Sequence, residues 1–195
     1  MKVGIWCEES ATVREAFRKR GHDAVSCDLV ASRVAGPHII GNCLDQDAAA
    51  YDIIIAHPPC TYLCNSGVRW LWNPDGTKNT DRWEKMTQAC WFFRRILGLR
   101  PKIGLAVENP VMHKHAMELI GVKYAQTVQP WMFGDGECKR TCLWLVCLPP
   151  LVPTNVVAGR GQSVHRCSPG ADRARIRSTT FPGIAAAMAS QWGGL

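Results

Sequence analysis

The residue of this 195-residue chain best placed to do chemistry is Cys60. It stands behind Pro58 and Pro59, at the end of the apolar run Tyr51-Asp-Ile-Ile-Ile-Ala56. Two prolines donate no ladder hydrogen bonds and cannot continue a central strand, so the chain must turn out of a sheet there. A cysteine at such a turn is held rigidly near the mouth of a site. Its thiolate, assisted by backbone amides of the following turn or by a nearby cation, is a nucleophile. Glu108 is the second such residue and closes another apolar run, Ile103-Gly-Leu-Ala-Val-Glu108. A carboxyl there must pair, face a cleft, or keep a proton that it can donate, because burial disfavours its charged form. The plainer alternatives are a buried structural cysteine and a glutamate that anchors a loop.

These residues need elements to position them, and the hydrophobic pattern supplies the elements. Val3 to Cys7 reads as a buried strand. Thr12-Val-Arg-Glu15 has the form of a capping box, opening a helix with the stripe Val13, Ala16 and Phe17 that ends at Gly21. A second strand runs from Ala24 to Cys27 and closes on Asp28, and the runs ending at Ala56 and Glu108 are further strands. Between those two, Arg82 to Leu97 carries Trp83, Met86, Cys90, Phe93 and Leu97 at helical spacing. Gly134-Asp-Gly136 is a turn before a strand from Thr141 to Cys147, and Ile184 to Trp192 ends the chain as a short helix.

Strands alternating with helices predict an α/β fold: one domain over 1–195, with a mostly parallel Rossmann-like sheet flanked by helices. Ligands of such sheets gather at the C-terminal strand ends, where Cys7, Asp28, Cys60 and Glu108 all fall. Residues 158–177 show no periodicity and read as a basic, mobile loop.

Hydrophobic residues at 47% and charged residues at 20%, with Gly 17 and Pro 12, exclude a disordered, collagen-like or low-complexity chain. No apolar run approaches the roughly 20 residues that cross a bilayer. Met1 to Cys7 is strand-like rather than a signal peptide, so a cytosolic protein without membrane contact is expected. The ten cysteines then read as reduced thiols, most of them buried.

The net charge of +7 is lopsided. From Lys139 onward, Lys139, Arg140, Arg160, Arg166, Arg173, Arg175 and Arg177 face a single acid, Asp172. Such a face suits a polyanion, with Arg160, Arg166, Arg173, Arg175 and Arg177 as candidate nucleic-acid contacts. Of the eight tryptophans, Trp70, Trp72 and Trp131 are placed to stack a base, whereas Trp6, Trp83 and Trp91 fit a core.

In order along the chain, these segments resemble the motifs of DNA cytosine-5 methyltransferases, in particular their small phage- and prophage-borne members. Ala56-His-Pro-Pro-Cys60-Thr61 resembles the Gly-Pro-Pro-Cys motif of the nucleophile, and Val107-Glu108-Asn109-Pro110 resembles the Glu-Asn-Val motif. Phe133-Gly-Asp-Gly-Glu137-Cys-Lys139-Arg-Thr141 resembles the family's Tyr-Gly-Val-Pro-Gln-x-Arg-x-Arg stretch, and Thr180-Phe-Pro-Gly-Ile184 its closing Gly-Asn-x-Val-Pro motif.

The resemblance implies a catalytic set of Cys60 as nucleophile, Glu108 as the acid at ring nitrogen 3, and Lys139 with Arg140 holding the base carbonyl or a phosphate. It implies S-adenosylmethionine, or a variant of it, as cofactor, bound by Cys7, Glu8, Ser10, Asp28, Asn42, Asp45 and Pro58, with Asp28 on the ribose hydroxyls. DNA is the implied partner, and no metal is implied.

The chain departs from the family at the first motif. Cys7-Glu-Glu-Ser-Ala11 stands where the family has Phe-x-Gly-x-Gly. The stretch between Lys139 and the closing motif is also too short for a separate target-recognition domain, so selectivity is expected to be low, short or supplied by a protein partner. Three alternatives stay open at this point. They are methylation of an exocyclic amino group, modification of a free nucleotide, and a zinc-stabilised nucleic-acid-binding module built on Cys60, Cys64, Cys138, Cys142, Cys147, His165 and Cys167.

Overall fold

The apolar runs form the middle of a seven-stranded sheet in the computed structural model, which describes residues 1–170 and 172–195. The strands are β1 (Lys2–Trp6), β2 (Asp23–Asp28), β3 (His38–Ile40), β4 (Ile53–Ala56), β5 (Gly104–Pro110), β6 (Gln126–Val128) and β7 (Thr141–Val146). Their order across the sheet is β3-β2-β1-β4-β5-β7-β6. The first five in sequence are parallel, and β7 enters antiparallel between β5 and β6.

The helices are α1 (Thr12–Arg18), α2 (Thr80–Leu97), α3 (Lys114–Ile120), α4 (Ser163–Arg166), α5 (Arg173–Ser178) and α6 (Pro182–Gln191). Helices α1 and α6 pack on each other over one face of the sheet, and α2 and α3 over the other. Both faces are therefore covered, which is why the central strands read as unbroken apolar runs. Alternation within them is still strict. Ile53 and Ile55 enter the core beneath α1 and α6, and Ile54 and Ala56 the core beneath α2 and α3. Gly4 serves this packing, because a Cβ there would stand 2.7 Å from the indole of Trp6.

Several expectations change. Thr12 and Glu15 form no capping box. Helix α1 is capped by Glu8, whose carboxylate accepts from the amides of Val13 at 2.7 Å and Arg14 at 3.3 Å. A longer-range carboxylate reaches these free amides better than Thr12 does, because Ala11 before it is in the left-handed region. Residues 158–177, expected as a mobile loop, carry α4 and α5 instead; Ala171 lies outside the described residues. Trp91, expected in the core, is 62% exposed, whereas Trp6, Trp144 and Trp192 are buried. Among the described residues no helix is long and apolar enough to cross a membrane.

The strand order reverses between β1 and β4. Connections leave these neighbours toward opposite faces, and a crevice opens beyond their C-terminal ends.

Candidate active site

Two adjoining hollows occupy that crevice. The smaller, about 110 Å³, is lined by the loop after β1 (Cys7 to Ser10), His57 to Cys60 after β4, Glu108 to Pro110 at the end of β5, Lys139, and Arg177, Ser178 and Thr180. The larger, about 310 Å³, is lined by Cys7, Cys27, Asp28, Leu29, Gly41, Asn42, Cys43, Pro59 and Phe92. Cys7 and Pro59 belong to both. The larger hollow has the size at which small-ligand pockets begin.

Cys60 and Glu108, predicted together from sequence, do line one cleft. The Pro58-Pro59 turn brings Cys60 back over the sheet, where its carbonyl accepts from Leu63 at 3.0 Å and Cys64 at 2.9 Å. The Asn109 side chain donates to the Pro58 carbonyl at 2.7 Å and so locks the turn to β5. Glu108 sits in register beside β4, and its Oε2 lies 3.0 Å from His57 Nδ1. Burial alone would push the Glu108 carboxyl up, but the His57 hydrogen bond and the charge of Lys139 outweigh it and hold the carboxyl below its ordinary value. Lys139 lines the cleft and donates to the Thr179 carbonyl at 3.1 Å, which ties down the segment that roofs it.

The thiol of Cys60 is pushed up, first by its hydrogen bond to Cys64, then by burial and the nearby charges of Cys64 and Glu108; Lys139 opposes this. Cys64 moves the other way, to about 5. Donation from Cys60 stabilises its thiolate against burial, helped by Ser66 at 3.1 Å, the Gly67 amide and the charge of Arg177.

The cofactor set divides. Cys7, Asp28 and Asn42 line the larger hollow, and Pro58 and Ser10 the smaller. Asp28 Oδ1 accepts from the Val30 amide at 3.3 Å, and Asn42 also caps a short turn by accepting from Leu44 at 3.1 Å. Glu8 lines the smaller hollow, but its carboxylate is engaged by α1 and by Ser10 Oγ at 3.2 Å. Asp45 is exposed and lines neither hollow, although its charge reaches Cys27 and Cys43 in the larger one. Cys7 and Ala11 bracket the loop with φ of 57° and 64°, the left-handed backbone that glycine ordinarily supplies. A non-glycine residue costs about 1–2 kcal/mol there, and such strain clusters at functional sites.

The basic set divides as well. Arg140 is exposed and outside the cleft, since successive residues approaching β7 point to opposite sides. Arg177 lines the cleft, a more central place than the outer surface expected for it. Arg160 stacks on Trp131 at 3.9 Å and bonds the carbonyls of Val157 and Gly159, Arg175 pairs with Asp172 at 3.3 Å, Arg166 is exposed and Arg173 half-buried. Trp70 and Trp72, expected near the cleft, are exposed and line neither hollow, and Arg69 lies 4.4 Å over the Trp70 ring.

Sequence reasoning gave His57 no role and named Cys64 only as a zinc ligand. The partner of His57 follows from the register of β4 on β5, which alternation along either strand alone does not give. The zinc reading lacks its ligand cluster: among the described residues no three His, Cys, Asp or Glu side chains gather into a metal-binding group. No family model matches the chain, and a search of the curated proteins finds no match.

Proposed function

We propose that this chain is an S-adenosylmethionine-dependent methyltransferase acting at carbon 5 of cytosine in DNA. The observation that carries this reading is the meeting of Cys60 and Glu108 in one cleft with Lys139, beside a larger hollow edged by Asp28. Carbon 5 of cytosine is a poor nucleophile until something adds to carbon 6. The Cys60 sulfur, once ionised, forms that S–C bond and makes carbon 5 electron-rich. Glu108 answers the charge that builds at ring nitrogen 3, by hydrogen bonding or by sharing a proton. Lys139 lies where it favours the Cys60 thiolate and can hold the base carbonyl.

S-adenosylmethionine, when bound, supplies a methyl group on a sulfonium sulfur. Asp28 suits its ribose, since an acid about 20 residues past the first strand-end loop is the usual partner of ribose hydroxyls. Glu8 already fills the amides of α1 and accepts from the Ser10 hydroxyl, so a cation lining the hollow, Arg177 or Lys139, must meet the methionine carboxylate instead. Transfer of the carbon 5 proton to solvent leaves its electron pair to re-form the 5,6 double bond, which expels the Cys60 thiolate.

A base in a duplex must leave the stack to reach such a cleft, and the exposed rings of Trp70 and Trp72 suit stacking on DNA. A protein partner is the proposed source of any longer sequence selectivity. The cysteines are free, and Cys7 and Cys43 share a hydrogen bond with their sulfurs 3.8 Å apart rather than a disulfide, which suits the reducing cytosol.

Mass spectrometry of nucleosides from cells expressing the protein tests the reading. 5-Methylcytosine should appear in their DNA and be absent with Cys60→Ser. Methylation of exocyclic amino groups, or of free nucleotides only, would replace the reading with one of its alternatives.

A further inference from the structure

His57 follows β4, and its amide donates to the Trp6 carbonyl at 2.9 Å, which prolongs the sheet by one residue. Ala56 pairs with Val107 in the parallel ladder, so His57 and Glu108 are the next pair in register. They share the face that Ile55 and Ala106 occupy one step earlier, and cross-strand neighbours on one face touch. Their side chains are 8% and 10% exposed. Nδ1 lies 3.0 Å from Glu108 Oε2, while Nε2 is buried and has no hydrogen-bonding partner among the described residues. Glu108 is thus the one acceptor the imidazole serves. The resemblance puts glycine at this position, so the contact belongs to this chain's own design.

We propose that His57 is a positioning residue: Nδ1–H, donated to Oε2, holds Glu108 as a carboxylate and leaves Oε1 to meet the base. The groups facing Glu108 are His57 after β4, Cys60 beyond it, Lys139 before β7 and Cys142 on β7. Their net effect keeps the carboxyl below its ordinary value although burial opposes it, so the free protein carries Glu108 ionised at neutral pH. Ring nitrogen 3 of cytosine then receives its proton from solvent as the base enters. One N–H bond forms per base bound, the cationic ring faces the carboxylate, and the proton returns to solvent when the adduct breaks down. This consequence for the base rests on the methyltransferase reading; the state of Glu108 in the free protein does not.

The test is a carbon-13 NMR titration of the full chain labelled at glutamate side-chain carboxyls, with the Glu108 signal assigned by Glu108→Gln. In the unsubstituted protein Glu108 should titrate below the other glutamates. His57→Asn, which keeps an N–H donor at similar reach, should stay low, and His57→Ala should move Glu108 up by about one unit or more. The acid limb of the pH profile of kcat/KM for DNA methylation, where protonation removes the Glu108 carboxylate, should follow the same order. If Glu108 titrates above an ordinary glutamate in the unsubstituted protein, or at one value with all three residues at 57, the proposal is overturned. The first of these outcomes decides it even where His57→Ala does not fold. The expected titrations without any methyl transfer would support the role of His57 and overturn the methyltransferase reading instead.

Discussion

At the scale of single residues, the site rests on a division of labour between two thiols. Cys64 is held below an ordinary thiol by donation from Cys60, and Cys60 is pushed above one, so at pH 6 any thiolate of the pair resides on Cys64. Iodoacetamide at that pH should label Cys64 well ahead of Cys60, as read by peptide mass spectrometry. Cys64→Ser should bring the Cys60 thiol back down and raise its labelling, since its largest upward push is then removed. Equal labelling of both thiols at pH 6 would contradict this. Cys60 and Glu108 were legible in the sequence because a reactive type at the end of an apolar run is informative alone, whereas Lys139 entered through the resemblance. Cys64 and His57 were not, because their roles come from what folding sets beside them.

At the scale of elements, close approaches explain features that periodicity does not carry. The Gly183 amide donates to Asp135 at 2.9 Å, and a Cβ on Gly183 would stand 2.0 Å from the Phe133 carbonyl oxygen. Helix α6 is thereby seated against the turn preceding Lys139. Gly183→Ala must push the two apart and should cost about 3 kcal/mol, measured by urea unfolding. Arg14 of α1 is fully buried and donates to Ser26, Ser32 and the carbonyls of Val34, Ala35 and Pro37, which shapes the loop after β2. Arg14→Met should cost about 3 kcal/mol by leaving those acceptors unpaired, and should expose residues 29–37 to proteolysis. The long helix was legible from its repeating pattern and the central strands from their unbroken apolar runs. The three-residue strands β3 and β6 and the seven-residue α3 are too short to show one, and tertiary pairing makes them.

At the scale of the whole molecule, the parallel sheet could be read from the alternation of elements. The antiparallel entry of β7 could not, since it depends on which strand the chain returns to. The charge imbalance translates into a salt effect. DNA binding should weaken steeply with ionic strength, and Arg166→Ser should reduce the log–log slope by about 1 if that exposed arginine meets a phosphate. An unchanged slope would remove Arg166 from the interface.

The central claim, covalent attack by Cys60 on a cytosine, is tested most directly by incubating the protein with S-adenosylmethionine and DNA containing 5-fluorocytosine, where the final elimination is blocked. The intact mass of the protein should rise by that of the modified strand, with the link mapped to Cys60 and lost in Cys60→Ser. DNA bound without any covalent adduct, or an adduct on another residue, would contradict the account.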